Sequence, residues 1–289
     1  MNLILLLSTF IVNYVVAFVF WSLFFLLAGP FFFSDLLENG ELASQYLLLL
    51  PAACVLIPAA LSGMGAMQYS IVRANGGKRA EGENLLRLQA VIRDICRRAG
   101  LDPTDFHLYT ADRKDYNAWA IGGNAITVTE WLLRDFTDEE VEGIVAHEVG
   151  HLQNGHTRVS LITYGMGWFG SIIVWVYNIF ILLCAFLRWI PVLGLILGLI
   201  SFFILIQYYV LNFFLQIPLW FLNQFGSRQN EYEADEYACR IGLGRELAEG
   251  LLHLENVFRQ GKRGWFESLF YDHPDIPKRL QRIQEILAE

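Results

Sequence analysis

Four long apolar runs divide the chain, at about Leu3–Leu27, Leu47–Met67, Leu161–Leu187 and Val192–Leu215, and each is long enough to cross a hydrocarbon layer about 30 Å thick as a helix. Pro51 and Pro58 interrupt the second run, which neighbouring helices can tolerate. Between and after the runs the pattern turns polar and amphipathic. Glu81–Ala99 carries Leu85, Leu88, Val91, Ile92 and Ile95 at helical spacing, with Gly100 as a stop. Phe106–Tyr109, Asn117–Ile121 and Ala125–Thr129 read as strands, the last two joined by Gly122-Gly123-Asn124. Val141, Ile144, Val145, Val149 and Leu152 mark the apolar side of a helix that Thr137-Asp138-Glu139-Glu140 opens as a capping box. A helix through Leu251, Leu252 and Leu254 follows, and a last one covers Pro277–Leu287.

This pattern predicts an α-helical membrane protein with about four transmembrane helices and a small α+β unit split in two by the second pair. Residues 1–72 form an N-terminal membrane region with two spans, 73–158 the first part of the polar unit, 159–222 a transmembrane hairpin and 223–289 the second part. The polar stretch Ala74–Glu83 is the one linker, and no internal repeat is visible.

Composition agrees. Hydrophobic residues make up 55% of the 289 and the mean hydropathy is +0.39, too apolar for a soluble domain with a single core. The first run lacks a basic leader and exceeds a signal peptide's apolar stretch, so it reads as a retained anchor. The loop after it holds Asp35, Glu38 and Glu41 without Lys or Arg, whereas Arg73, Lys78, Arg79 and Arg87 follow the second run. Basic residues mark the cytoplasmic side, which puts the polar unit in the cytoplasm and the spans in the cell's inner or plasma membrane. Arg158 and Arg228 agree, and Arg188 dissents. A net charge of −8 and a pI near 5.3 offer no basic surface for nucleic acid. Cys54, Cys96, Cys184 and Cys239 show neither metal spacing nor a disulfide framework.

The capped helix carries His147-Glu148-Val149-Gly150-His151. Residues four apart share a helix face, so both imidazoles can turn to one metal ion, while Glu148 is rotated off that face and suits a carboxylate acting on water. A catalytic zinc site needs a third protein ligand. His156 lies nine residues beyond His147 and on a straight helix cannot join the pair; it is expected to hydrogen-bond near the site or pack beneath it. Glu231 and Asp235, four apart in Arg228-Gln229-Asn230-Glu231-Tyr232-Glu233-Ala234-Asp235, are better placed. Glu231 can bind metal while Asp235 accepts a hydrogen bond from the far nitrogen of a ligand histidine. Glu233 points elsewhere by about 200°. His107 and His253 read as ordinary core or surface histidines.

Together these residues resemble the HtpX-type integral-membrane zinc metalloproteases, the family that also holds the CaaX prenyl proteases. H-E-x-x-H followed by E-x-x-A-D is that family's pairing. Asn117-Ala118-Trp119-Ala120 is similar to its N-A-F strand, and Asp272-His273-Pro274 with Arg279-Leu280 to its late H-P segment. Trp131 stands where the family usually has a glycine. The resemblance implies a zincin-type (gluzincin) protease domain with one Zn2+ on His147, His151 and Glu231, Asp235 behind them and Glu148 as catalytic base. It also implies His273 or Arg279 as donors to the transition state. The strand from Asn117 and Ala118 reads either as an ordinary buried strand or as an exposed edge that could pair with the main chain of an extended substrate.

Eighty residues separate His151 from Glu231, nearly all of them the membrane hairpin, and the active-site helix is expected to run straight into the third span. The site would then lie near the bilayer surface, within reach of membrane-bound polypeptide substrates. The expected function is a broad endopeptidase that degrades damaged or misfolded membrane proteins in quality control. The alternatives are a selective CaaX-type processing enzyme and a noncatalytic scaffold stiffened by zinc, against which the intact Glu148 argues.

Overall fold

The computed structural model describes residues 2–34, 38–187, 189–190, 193–260 and 276–288. The chain divides into two compact units, residues 1–62 with 162–224, and residues 63–161 with 225–289.

The first unit holds α1 (Asn2–Phe32), α2 (Gly40–Ser62), the end of α7 (His156–Met166), α8 (Trp168–Leu187) and the first part of α9 (Leu193–Arg240). Among the described residues, three stretches are long and apolar enough to cross a membrane: Leu3–Leu26, Gly40–Ser62 and His156–Leu187. Only 17%, 22% and 12% of their most apolar windows are buried by protein, so most of this surface needs lipid around it. Small residues allow close helix contact here, as where Gly165 meets the Pro58 carbonyl and the Ala59 Cα. The second span starts and stops earlier than its hydropathy predicts. Pro51 and Pro58 stay helical, but the helix ends at Ser62 and the chain is extended at Met64 before α3 (Gly65–Ala74), which lies in the second unit. Residues 63–72, grouped with the membrane region from sequence, therefore belong elsewhere. The fourth expected span falls on α9, whose side chains at 210–227 lie outside the described residues.

The second unit contains a four-stranded mixed sheet of β1 (Gly77–Arg79), β2 (His107–Ala111), β3 (Ala118–Ile121) and β4 (Ala125–Thr129), in the order β1-β2-β4-β3. β1 and β3 pair antiparallel with their neighbours, and β2 and β4 run parallel. β1 corrects the expected linker, because Gly77 to Arg79 bond along β2 opposite Ala111 to Tyr109. β3 is an edge strand, held through Ala118 opposite Val128. α4 (Gly82–Ala99) ends at Gly100 in the left-handed conformation (φ 70°), as its stop signal predicts. A short helix that the sequence pattern did not reveal, α5 (Glu130–Asp135), follows β4 and buries Leu132 and Leu133. Arg87 bonds the α5-end carbonyls of Leu133 and Phe136.

At the centre lies α6 (Asp138–Gln153). Thr137 accepts from the Glu140 amide at 3.2 Å and Glu140 accepts from the Thr137 amide at 2.8 Å, the reciprocal bonds of a capping box. Val141, Val145, Val149 and Leu152 pack into one core with Ile92 and Ile95 of α4, Ile126 and Val128 of β4, and Leu243 and Leu247. Full burial of each such side chain contributes roughly 1.5–3 kcal/mol. α10 (Gly244–Gln260) crosses α6 at Gly143, where a Cβ would sit 2.2 Å from the Leu247 nitrogen. α9 presses on α6 at Gly150, where a Cβ would meet the Cα and carbonyl oxygen of Ala234 at 3.0 Å. α11 (Ile276–Ala288) closes the core with Leu280 and Ile283.

The active-site helix does not run straight into the third span. Asn154 caps α6, Gly155 takes φ +74°, and α7 starts afresh at His156. Asn-Gly is a helix-stopping pair, and only glycine takes such a φ without strain.

Candidate metal centre

His147 and His151 lie on the face of α6 that meets α9, and Gly150 lets the two helices approach closely enough for Glu231 to reach both. The His147 and His151 Nε2 atoms are 3.2 Å apart. Glu231 Oε2 lies 3.4 Å from His147 Nε2 and Glu231 Oε1 lies 3.2 Å from His151 Nε2. Among the described residues, these three make the candidate metal-holding group. The residues fit a divalent metal well. Bonds of about 2.0–2.1 Å in a tetrahedron put neighbouring donors about 3.3 Å apart, and the two imidazole nitrogens lie at such a distance from each other and each from one oxygen of the Glu231 carboxylate, which straddles them. Two imidazoles and one carboxylate are a donor set that suits a divalent metal ion. Glu148 is buried on the same helix.

Behind the triangle the polar groups are tightly partnered. His147 Nδ1 lies 2.8 Å from Asp235 Oδ1, so the far nitrogen has a carboxylate to donate to. Arg279, buried on α11, grips Asp235 with two parallel bonds, Nε to Oδ2 at 2.8 Å and Nη2 to Oδ1 at 2.6 Å, and its Nη1 lies 3.3 Å from Glu231 Oε2. Burial alone would push the Asp235 carboxyl up, but the Arg279 guanidinium and the His147 ring outweigh it and hold it below the usual carboxylate value. Burial and Arg279 likewise disfavour a cationic His147, yet Asp235 and Glu231 prevail and raise its pKa to about 9.

His156, excluded from the ligand pair on a straight-helix argument, returns to the site because the helix breaks. Its Nδ1 lies 3.2 Å from His151 Nδ1 and its Nε2 3.0 Å from Glu233 Oε2. Glu233, expected to point elsewhere, thus touches the site through His156. The backbone of Asn117 bonds Thr129, its amide at 3.1 Å from Oγ1 and its carbonyl 3.0 Å from the Thr129 amide. His273 lies outside the described residues. His253 is half-buried, hydrogen-bonded to Glu140 Oε1 at 3.0 Å and stacked on Phe136, and His107 is exposed at the start of β2. The four cysteines are free, and burial pushes the Cys96 and Cys239 thiols up to about 11.

A membrane protein with a buried histidine-carboxylate triangle on a split, mostly helical fold is the class that the geometry defines. The chain belongs to Peptidase family M48, whose sequence pattern it matches over residues 83–287. It is similar to Protease HtpX homolog of Acaryochloris marina, 28% identical over 276 residues, which covers 79% of this chain and 82% of that one. Protease HtpX of Mannheimia succiniciproducens is 24% identical over 215 residues, or 68% and 72% of the two chains. The crystal structure of S. mikatae Ste24p shares the fold with a TM-score of 0.50 at 18% identity, across 91% of this chain and 63% of that one. The protein is an HtpX-like membrane metalloprotease.

Proposed function

We propose that this protein is a membrane-bound zinc endopeptidase that hydrolyses polypeptides, misfolded or damaged membrane proteins among them, in quality control. Its multi-pass anchor sits in the cell's inner or plasma membrane with the protease unit in the cytoplasm, as the distribution of basic residues favours. The convergence of the His147 and His151 Nε2 atoms and the Glu231 carboxylate on one point carries the assignment. These three would hold the metal, which when bound supplies Lewis acidity and lowers the pKa of a water toward about 7.

Glu148 takes the proton of the attacking water and then delivers it to the leaving amine. Asp235 orients His147 by accepting its Nδ1 proton. Arg279 serves by holding Asp235 and Glu231, since its planar fork is already engaged there. Negative charge on the substrate carbonyl falls to His273. The open edge of β3, from Asn117 and Ala118 onward, adds an extended substrate as a further strand, which favours broad specificity because main chain is what it recognises.

The test is proteolysis by detergent-purified protein, stripped of metal and then loaded with zinc, beside Glu148→Gln. Cleavage should return with zinc and be lost in the variant at unchanged zinc content. A variant that cleaves at the wild-type rate would remove Glu148 from the chemistry. Selective CaaX-type processing is the second possibility, favoured by the family resemblance. Faster cleavage of farnesylated than of unmodified peptides would select it.

A further inference from the structure

His147 has a carboxylate on its far nitrogen; His151 has none, yet its Nδ1 is not left to solvent. It faces His156 Nδ1 at 3.2 Å, His156 Nε2 faces Glu233 Oε2 at 3.0 Å, and Gln229 Nε2 donates to the other Glu233 oxygen at 3.1 Å. Asn154, the cap residue of α6, bonds the Glu233 carbonyl at 3.3 Å, which ties the break in the helix to α9. The His156 ring is buried, with 4% of its surface exposed, and it follows the break between α6 and α7.

One arrangement of protons satisfies this row with a carboxylate at its end. Glu233 only accepts, so His156 Nε2 carries a hydrogen and donates to it. The neutral His156 ring then has a lone pair on Nδ1, which accepts from His151 Nδ1–H. The remaining lone pair of His151 is on Nε2, the atom that faces His147 and Glu231. The chain Glu233–His156–His151 therefore selects the tautomer that can ligate.

We propose that His156 and Glu233 are positioning residues that hold His151 in its metal-binding tautomer and ring orientation, as Asp235 does directly for His147. The two ligand histidines are thus anchored unequally, one by a carboxylate in contact and one by a carboxylate acting through a second imidazole. The left-handed turn at Gly155 is what brings His156 back under His151. This rests on the metal reading of the site.

The experiment measures zinc affinity of the full-length, detergent-purified protein by competition with a chromophoric chelator, for wild type, His156→Leu, His156→Gln, Glu233→Ala and the double variant His156→Leu/Glu233→Ala. Loss of such a support typically weakens metal binding 10–100-fold. His156→Leu should fall in that range. Glu233→Ala, at a half-exposed carboxylate, should fall less. The double variant should be no worse than His156→Leu, because Glu233 acts only through His156. His156→Gln, which still offers an acceptor and a donor, should recover part of the loss, and the visible spectrum of the Co2+-loaded protein should shift in His156→Leu and return toward wild type in His156→Gln. Thermal stability of chelator-treated His156→Gln and Glu233→Ala should match wild type, which separates positioning from a merely structural role. Wild-type zinc affinity in both His156→Leu and Glu233→Ala would overturn the proposal while leaving the metal site intact. Failure of the wild type itself to bind zinc would instead overturn the metal reading beneath it.

Discussion

Gly150→Ala is the most informative single perturbation, because one methyl group tests whether the close approach of α6 and α9 builds the metal site. The added Cβ would stand 3.0 Å from both the Cα and the carbonyl oxygen of Ala234 and 3.1 Å from Tyr237 Cβ, where ordinary contact begins at 3.4 Å. Backbone atoms cannot swing aside, so α9 must retreat by about 0.4 Å. Glu231 lies one turn from Ala234 and moves with it, while metal sites tolerate only about ±0.2 Å in ligand distance. Overpacking costs about 1–3 kcal/mol and the gain in helix propensity from Gly to Ala is about 1 kcal/mol, so the net loss of stability is about 0–2 kcal/mol and the protein still folds. Zinc affinity should nevertheless fall on the order of 10–100-fold, as when a ligand's support is lost. The assay is chelator competition beside a thermal melt, with Gly65→Ala as the control, since nothing lies within 4 Å of a Cβ there. A Gly150→Ala protein with wild-type zinc affinity and proteolysis would refute the claim that this contact sets the ligand geometry.

Gly143→Ala should fail to fold, because its Cβ would sit 2.2 Å from a backbone nitrogen on α10; a soluble, monodisperse variant with the wild-type melting temperature would contradict this. Arg279→Ala removes the two-bond partner of the buried Asp235, leaving it only His147, and should destabilise by up to about 3–5 kcal/mol, with Arg279→Lys only partly restoring stability because an ammonium lacks the fork; denaturant titration checks both. His147, whose pKa is raised from 6.5 to about 9, contributes stability that is full below pH 6.5 and is lost as pH rises through about 9. Melting temperatures of the chelator-treated protein should therefore decline across that interval, while zinc binding, which displaces the Nε2 proton, should tighten; a melting temperature that climbs from pH 6.5 to 9 would be wrong for this account. Cys96 and Cys239, with thiols raised to about 11, should resist iodoacetamide at pH 8 until the protein is unfolded, as peptide mass spectrometry would show.

Much of this was legible because short-range rules decide it. The capping box at Thr137 and Glu140, the stop at Gly100 and the hairpin through Gly122 to Asn124 depend on neighbours in sequence, and the structure has all three. The four-residue spacings of His147 with His151 and of Glu231 with Asp235 set which side chains share a face. What was illegible depends on distant partners. β1 has only Gly77 to Arg79 to signal it and exists because β2 offers an edge. α5 is six residues long and is stabilised by Arg87 from another helix. The break before His156 was readable in principle, since Asn154-Gly155 is a stop signal, but the apolar pattern continuing beyond it favoured one unbroken helix. That choice also hid Glu233, whose contact with the site exists only once His156 has turned back.

Zinc K-edge absorption of the zinc-loaded, detergent-purified protein tests the centre most directly. The account predicts one zinc per chain in a nitrogen and oxygen shell at about 2.0–2.1 Å, with imidazole scattering from two histidines, and loss of stoichiometric zinc in Glu231→Ala. A sulfur shell at about 2.3 Å, or undiminished zinc in that variant, would show that His147, His151 and Glu231 do not form the metal site.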